Sequence, residues 1–451
     1  MYFKKDKFLV VGLSKSGLCA SEALLMRGAE CYIYDENLNS CLSSSVEELI
    51  NRGAKLVDKE RIDEAIRLCD TVVLSPGVPI DNEIPIMARR MRKNIIGELE
   101  LGSYFAKSPI VAVTGTNGKT TTCSLISNIL EKAQIANCLA GNIGMPLTKE
   151  CEKVDENGVL VVEVSSFQLE TIARFLPHIA CITNISPDHL SRHYNMDNYE
   201  YLKSRILKNL RESEYAVLNA DDQRICRFAE NTRAKICYFS MANETEGAYL
   251  IENKIYWKGE YLLGANDLPI KGGHNLQNAL VAICACKLLG IDNDCIVDGL
   301  LNFKGVKHRT QEIGIHKGVT FINDSKATNP NSTESAISLM KQNFVLLLGG
   351  RKKGEGYDGL FKKLANNSYL KEIVVYGESK DDLYSLAKNL SIENISVVTN
   401  FERAVKYSFL TLEGGDLLLL SPACASYDEF SGYEERGDKF IELVKEFADD
   451  R

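Results

Sequence analysis

The chain of 451 residues lacks any uninterrupted apolar run approaching the ~18 residues of a membrane-spanning helix. The first apolar run, residues 8–13, is too short for the core of a signal peptide, so neither membrane insertion nor export is expected. Positive charge is also in short supply. With 53 Lys and Arg against 61 Asp and Glu, the net charge is −8; no broad basic surface is implied, which argues against a general nucleic-acid role. Cysteine is plentiful at 14, yet no C-x-x-C pair occurs. The closest two are Cys284 and Cys286. Cys284, Cys138 and Cys181 lie in apolar segments, where a free thiol behaves as a small hydrophobe. No disulfide framework is expected, and a reducing cytoplasm fits best. Repeats, low-complexity tracts and long disordered linkers are missing too. What remains is an ordinary globular composition, 45% hydrophobic and 25% charged, long enough for two to four domains at about 100–200 residues each.

The most informative stretch is 110–122, Ile-Val-Ala-Val-Thr-Gly-Thr-Asn-Gly-Lys-Thr-Thr-Thr. Residues 110–113 read as a buried parallel strand by length and β-branched content, and a helical pattern covers 121–132. Strand, glycine loop, Lys-Thr and helix make the layout of a phosphate cradle. Gly115 and Gly118 let the backbone turn its N–H groups, those of Thr116, Asn117 and Thr121 included, toward an anion. The helix N-terminus adds partial positive charge. Lys119 would reach the β/γ-phosphates and the Thr120 hydroxyl would hold Mg²⁺. The full G-x-x-x-x-G-K-T pattern would need glycine where Val113 stands. Four features in register still mark a nucleoside triphosphate site.

Upstream, residues 8–11, the loop 12–17 and a helix to Met26 form the start of a βαβ unit, whose second strand (30–34) ends at Asp35. Ser14 replaces the middle glycine of the dinucleotide fingerprint, which weakens a dehydrogenase reading. These residues alone leave open a related nucleotide, such as a UDP group, or a plain helix-packing turn. Another strand beginning at Thr71 ends in a turn at Gly77, at the ligand-binding edge of such a sheet. A boundary is expected near 97–100.

Downstream of the cradle come Gly-Asn-Ile-Gly at 141–144, a strand over 159–164 carrying Glu163 near its end, and a strand over 179–185 leading to Asp188 and His189. An acid at the end of a neighbouring strand is the expected second handle on Mg²⁺, and the wholly apolar run before Glu163 suits it to that role. His189 gains weight only from its place beside this metal site. Lys203, on a helical stretch over 199–210, reads by itself as a stem on an apolar face with its amine in water. Residues 235–263 look like an antiparallel excursion. Asn275 and Asn278 share a helical face that could point toward a purine or ribose, although Asn275 could equally, or in addition, cap the helix. A second boundary is expected around 303–307. The last segment alternates strands (319–323, 344–348, 372–376, 416–420) with helices. Its polar strand ends, at Asp324 and Lys326, at 349–353 and at 421–426, suggest a site facing the phosphate loop.

Taken together, 114–120, Glu-Val-Ser-Ser-Phe-Gln-Leu-Glu at 163–170, Gly-His-Asn-Leu-Gln-Asn at 273–278, His308-Arg309, Asp-Ser-Lys-Ala-Thr-Asn at 324–329 and Ser-Pro-Ala-Cys-Ala-Ser at 421–426 resemble the Mur ligases. These are ATP-dependent enzymes that build the peptide of bacterial peptidoglycan, and the resemblance covers essentially the whole chain. The last two runs point to the member that adds D-glutamate, and the Asp-Asn-Pro-Arg motif of the diamino-acid-adding members is missing. The resemblance implies an α/β protein of three domains: a Rossmann-like domain for the UDP-sugar (1–98), a P-loop ATPase-like domain with a mostly parallel sheet (99–305) and a Rossmann-like amino-acid domain (306–451).

Carried over residue by residue, Ser14, Asp35 and Gly77 would line the uridine nucleotide, and Asn142, Ser165 and His189 would contact the muramoyl-alanine. Lys119 and the loop amides would bind ATP. Thr120 and Glu163 would hold one Mg²⁺; His189 and Lys203, the latter as its carbamate, would serve a second. Asn275, Asn278, Arg309 and Asp324 would hold adenosine and phosphates, and Thr328, Lys353, Ser426 and Tyr433 would grip D-glutamate. Tyr427 and Tyr433 stand where a leucine and a phenylalanine would be familiar; each keeps an apolar body and adds a hydroxyl. The implied enzyme is a cytoplasmic monomer. It activates the alanine carboxylate of UDP-N-acetylmuramoyl-L-alanine as an acyl phosphate, and the amine of D-glutamate then attacks. That intermediate must be kept from water, which asks for closure of the third segment. Three alternatives differ in kind. A sister ligase of the folylpolyglutamate synthase type is disfavoured by the N-terminal βαβ unit. A P-loop kinase is disfavoured by the polar third segment, and a non-enzymatic nucleotide-binding protein by the joint presence of Lys119, Thr120 and Glu163.

Overall fold

The computed structural model of the protein describes residues 6–36, 44–352 and 356–449. It packs as two compact units, Met1–Phe303 and Lys304–Arg451. In the first unit, β1 (Lys7–Val11), β2 (Glu30–Tyr34), β3 (Lys55–Leu56), β4 (Thr71–Leu74) and β5 (Asn94–Gly97) form a parallel sheet in the order β3-β2-β1-β4-β5. The order reverses at β1, so the loops after β1 and β4 diverge and leave a crevice at the carboxyl ends.

A second parallel sheet joins β6 (Ile110–Thr114), β7 (Asn137–Gly141), β8 (Val159–Glu163), β9 (Ile179–Ile182), β10 (Tyr215–Asn219) and β11 (Lys235–Phe239), in the order β11-β10-β9-β6-β8-β7. Strands β6, β8 and β9 are buried at every position, which is why they read as continuous apolar runs rather than alternating ones. The antiparallel excursion is narrower than expected. Residues 235–239 extend the parallel sheet as β11, and only β12 (Ala248–Ile251), β13 (Lys254–Trp257) and β14 (Glu260–Gly264) run antiparallel. Strand β9 also stops three residues short of the expected 185, because beyond Thr183 the chain bonds the loop after β6, with Asn184 O accepting the Thr116 N–H.

One hydrophobic core runs through both parallel sheets of this unit, from Phe8 and Val10 to Ala112, Val162 and Leu218. Buried Glu100, on the short helix Glu98–Ser103 after β5, accepts the backbone N–H groups of Ala173, Arg174 and Phe175 at 2.7–2.9 Å. That carboxylate ties the connection between the sheets to the segment preceding β9.

The second unit holds β15 (Gln311–His316), β16 (Val319–Asn323), β17 (Phe344–Gly349), β18 (Leu370–Tyr376), β19 (Ile395–Val397) and β20 (Leu417–Leu420) in the order β15-β16-β20-β17-β18-β19. All are parallel except the edge strand β15. Strands β15 and β19 were not expected: β15 is only partly buried or exposed along its length and β19 has three residues, so neither leaves an apolar signature. Adjacent β16, β20 and β17 deliver their carboxyl-end loops side by side.

Close backbone packing at the first crevice makes one position testable. A Cβ on Gly17 would stand 1.8 Å from the Gly12 carbonyl oxygen and 2.9 Å from Ser75 Oγ. Gly17→Ala is expected to destabilise the first unit by about 1–3 kcal/mol, as overpacking does. A lowered urea midpoint would show this; an unchanged midpoint would contradict the close approach.

Candidate active site

The carboxyl ends of β6, β8 and β9 meet around the loop 115–118. Gly118 has φ +85°, and a Cβ there would lie 2.1 Å from Asn278 Oδ1; Gly115 has φ +147°, with a hypothetical Cβ 1.9 Å from Thr183 Oγ1. Both positions therefore require glycine, by conformation and by space. The left-handed turn at Gly118 lets the helix begin at once. It spans Lys119–Lys132, two residues earlier than expected, so Lys119, Thr120 and Thr121 belong to its first turn rather than to the loop. The helix N-terminus with its glycine loop forms a ready anion site.

The loop is held from beneath. Thr116 N–H donates to Asn184 O at 2.9 Å, Asn117 N–H to Asn184 Oδ1 at 2.9 Å, and Thr183 Oγ1 to Asn117 O at 2.7 Å, so the N–H groups of Thr116 and Asn117 fasten the loop to the protein instead of turning toward an anion as expected. The Thr116 hydroxyl also lies 3.1 Å from Tyr199 Oη. Lys119 Nζ donates to Gly115 O and Thr116 O, both at 2.9 Å. Thr120 Oγ1 donates to Glu163 Oε2 at 2.7 Å, and Asn142 Nδ2 to Glu163 Oε1 at 2.7 Å. Glu163 is buried, with both oxygens engaged. Thr120, Glu163 and Asn142 thus form one hydrogen-bonded row spanning the ends of β6, β8 and β7.

Lys203 is a correction to the sequence reading. It sits on the helix Met196–Ser204, which passes into a 3₁₀ turn at Arg205–Leu207, and it is 2% exposed rather than reaching into water. Its amine donates to Gly115 O at 2.8 Å and lies 4.8 Å from the Tyr199 ring centre. Burial, reinforced by the nearby Lys119 charge, holds the amine well below the ordinary lysine range, and Asp188 and Glu163 oppose that only in part. Tyr199, four residues earlier on the same helix, touches both Lys203 and the loop; the i, i+4 spacing was the available signal, and it was not used.

His189 adopts φ +52° at the start of the turn Leu190–His193, with Nε2 3.6 Å from Asp188 Oδ2 and its ring 4.9 Å from Phe167. Ser165 caps the short helix Ser166–Leu169 in a reciprocal box with Gln168. Residues not anticipated complete this wall. Arg192 bonds Glu170 at 2.7 and 3.2 Å and the Val78 carbonyl at 3.2 Å, while His193 Nε2 lies 2.9 Å from Ser166 Oγ. Burial pushes the His193 imidazole down to about 4, so it is neutral at pH 7. The side chains of Asn142, Ser165 and His189 thus come from the segments after β7, β8 and β9, on both sides of the loop after β6.

In the first crevice, Asp35 accepts the Leu13 N–H at 2.6 Å, Ser14 stands at the N-cap position of the helix Lys15–Met26 without a capping hydrogen bond from its side chain, and a Cβ on Gly77 would meet open space. Lys15 Nζ donates to Gly144 O at 2.6 Å, which joins this crevice to the loop after β7. Asn275 and Asn278 lie on the helix Gly273–Leu288, with Asn278 Nδ2 3.3 Å from Asn275 Oδ1. Gly272 is the capping residue, so Asn275 lies inside the helix and the capping reading fails; its amide bonds Lys271 O instead.

In the second unit, Asp324 is buried between the Ser421 hydroxyl (2.8 Å) and the Thr310 N–H (3.0 Å). Burial raises the carboxyl to about 6, against the opposing pull of the Ser421 and Thr310 hydrogen bonds and of the Arg309 charge. Ser426 is buried in the loop after β20, Thr328 N–H donates to Lys326 O, and Tyr433 begins the last helix, Tyr433–Asp449. Lys326 Nζ lies 5.1 Å from the Tyr433 ring centre. Lys353 lies outside the described residues.

The profile of the Mur ligase middle domain matches residues 113–286, and that of the Mur ligase glutamate ligase domain matches residues 308–424. The chain belongs to the Mur ligase family. It is 39% identical to the UDP-N-acetylmuramoylalanine--D-glutamate ligase of Caldanaerobacter subterraneus subsp. tengcongensis, with 98% of this chain and 99% of the relative covered. It is 38% identical to the enzyme of the same name from Clostridioides difficile, again with 98% and 99% covered. Among solved structures, the UDP-N-acetylmuramate-alanine ligase MurC of Thermotoga maritima superposes with TM-score 0.64 at 20% identity, covering 98% of this chain and 99% of that one. MurF ligase from Thermotoga maritima in complex with ADP gives TM-score 0.61 at 17% identity, covering 99% and 96%. At those identities the likeness concerns the fold.

The raised Asp324 carboxyl predicts a pH effect. With a folded value above the ordinary ~3.9, the folded unit binds the proton more tightly than the unfolded chain. This group therefore withdraws stability as pH rises from about 4 to about 6 and contributes no such change below that window. Asp324→Asn should gain stability relative to the parent chain across that window, read as urea midpoints at pH 4 and pH 7. A difference independent of pH would contradict the assignment.

Proposed function

We propose that this chain joins D-glutamate to UDP-N-acetylmuramoyl-L-alanine with ATP, releasing ADP and phosphate, in the cytoplasm and as a monomer. The observation that carries the chemistry is the row Thr120–Glu163–Asn142 beside two lysine amines at a glycine loop. The names of near-full-length relatives support the substrates. We assign the uridine nucleotide to residues 1–98, ATP to 99–305 and the amino acid to 306–451.

Mg²⁺ suits the site. The described residues hold no group of three or more His, Cys, Asp or Glu side chains able to cage a metal, and Mg²⁺ typically takes one or two protein oxygens plus phosphate and water. Thr120 and Glu163 offer such a pair 2.7 Å apart. His189 and Lys203 would serve a second ion, with Lys203 as its carbamate. Carbamate formation needs a neutral amine to attack CO₂ with loss of a proton, and burial keeps this amine neutral more readily than an exposed lysine. When bound, Mg²⁺ would neutralise triphosphate charge.

The chain's own groups meet the main physical obstacle, the approach of a carboxylate to a triphosphate. Lys119 and the N–H groups at the start of its helix offset that repulsion and stabilise charge developing on the transferred phosphoryl group. Asn142, Ser165 and His189 orient the alanine carboxylate for attack on the γ-phosphorus, and the resulting acyl phosphate loses phosphate when the amine of D-glutamate attacks its carbonyl carbon. Asn275, Asn278, Arg309 and Asp324 are assigned to adenosine and phosphates, Ser14, Asp35 and Gly77 to the uridine nucleotide, and Thr328, Lys353, Ser426 and Tyr433 to D-glutamate.

ADP release measured with ATP, Mg²⁺ and UDP-N-acetylmuramoyl-L-alanine should require D-glutamate and not respond to L-glutamate or L-lysine. Response to another amino acid would move the protein to a sister ligase, and no release with ATP still bound would refute the ligase reading. Lys119→Ala should lower turnover at least about 10²–10³-fold with the fold retained, the scale of losing a preorganised charge stabiliser. Near-normal turnover would refute the phosphate-cradle assignment.

A further inference from the structure

Arg436, on the last helix, is the largest fully buried side chain among the described residues, at 0% exposure. Sequence reading gave it no role. Its Nε donates to Ser325 Oγ at 3.0 Å and Nη2 to Ser325 O at 2.8 Å; Nη1 and Nη2 both donate to Cys424 O at 3.2 Å. Ser325 belongs to the loop after β16 and Cys424 to the loop after β20. The loop after β17 closes over the same group: a Cβ on Gly350 would stand 3.2 Å from Nη1. One guanidinium thus lies beneath all three adjacent strand-end loops of the second unit. Through Ser325 its hold extends further, because Ser325 Oγ donates to the carbonyl of Tyr433 at 2.8 Å.

The electrostatics are unusual. Every hydrogen bond to Arg436 is accepted by a neutral oxygen, and among the described residues no carboxylate lies within ion-pair distance. A buried cation without a counter-ion is costly, and a fork of fixed N–H groups is ordinarily retained where it positions something. The nearby carboxylate of Glu429 and the Tyr376 hydroxyl both feel its charge, and neither bonds it. The same charge reaches the loop after β20, where it acts on the Cys424 thiol.

We propose that Arg436 is a positioning residue for the amino-acid substrate. It pins the loops after β16 and β20 in register and supplies positive potential to a site that accepts an amino acid with two carboxylates. Lysine could keep the charge but cannot reproduce a planar fork bonded to two loops at once. The inference rests on the assignment of D-glutamate to the second unit.

The test is steady-state kinetics of the full-length enzyme with Arg436→Lys, Arg436→Gln and Ser325→Ala, each first checked for an unaltered circular dichroism spectrum. Arg436→Lys should raise KM for D-glutamate at least tenfold, with KM for ATP and for UDP-N-acetylmuramoyl-L-alanine within about twofold. Arg436→Gln, which loses the charge as well, should raise it further. Ser325→Ala, which removes one partner and leaves the charge, should move the same constant in the same direction by less, and it serves if the arginine variants fail to fold. In parallel, borohydride trapping of the acyl phosphate in the absence of D-glutamate should be unchanged, since that step precedes amine attack. Equal losses in all three KM values, or an unchanged KM for D-glutamate in Ser325→Ala and in every arginine variant that folds, would overturn the inference. Turnover of the parent enzyme without any D-glutamate requirement would instead overturn the amino-acid assignment on which it rests.

Discussion

The constraint on which the first unit's site depends is the burial of one carboxylate among strand ends. Glu163 closes a strand whose every residue is buried, and hydrogen bonds from Thr120 and Asn142 hold it there. Burying a charge is unfavourable unless hydrogen bonds and opposite charges surround it, and Lys203 lies close enough for its titration to respond to Glu163. The parallel order β9-β6-β8-β7 brings these groups together, since it places the phosphate loop between the strand that carries Glu163 and the one that leads to His189. The loop's conformation follows from two glycines that neighbouring side chains leave no room to replace. The site is thus a consequence of strand order, two close approaches and one buried acid.

The second unit solves its problem in the opposite sense. Its strand-end loops converge on a buried cation, Arg436, and on an acid, Asp324, whose ionisation burial opposes. Each unit therefore places a fixed charge under loops at the carboxyl edge of a parallel sheet, where water is scarce and a charge acts strongly. A reaction that first binds a triphosphate and later a doubly charged amino acid has use for both.

Much of this was legible in the chain. The cradle at 114–120, the central strands and Glu163 announce themselves because glycine, lysine and threonine at fixed spacing follow a wholly apolar run. Less was legible where function depends on long-range packing. Lys203 looks like a surface lysine until Tyr199 and the Gly115 carbonyl enclose it. Arg192 and Glu170 lie 22 residues apart, and no local periodicity links them. Arg436 stands in a run of charged residues, Glu434, Glu435 and Asp438, where composition suggests a solvated face. Strands β15 and β19 escaped notice because edge strands need no continuous apolar run. The early start of the helix at Lys119 reflects the left-handed Gly118, which sequence patterns record only as a glycine.

The central claim is that these buried charges let a carboxylate attack a triphosphate. It is tested most directly by preparing UDP-N-acetylmuramoyl-L-alanine with ¹⁸O in the alanine carboxylate and examining the phosphate released during turnover by ³¹P NMR. An acyl phosphate requires one ¹⁸O to leave with each phosphate, since the carboxylate oxygen becomes the bridging atom. Phosphate free of the label, with product still formed, would mean that the carboxylate is not activated by phosphorylation, and the account of this site would be wrong.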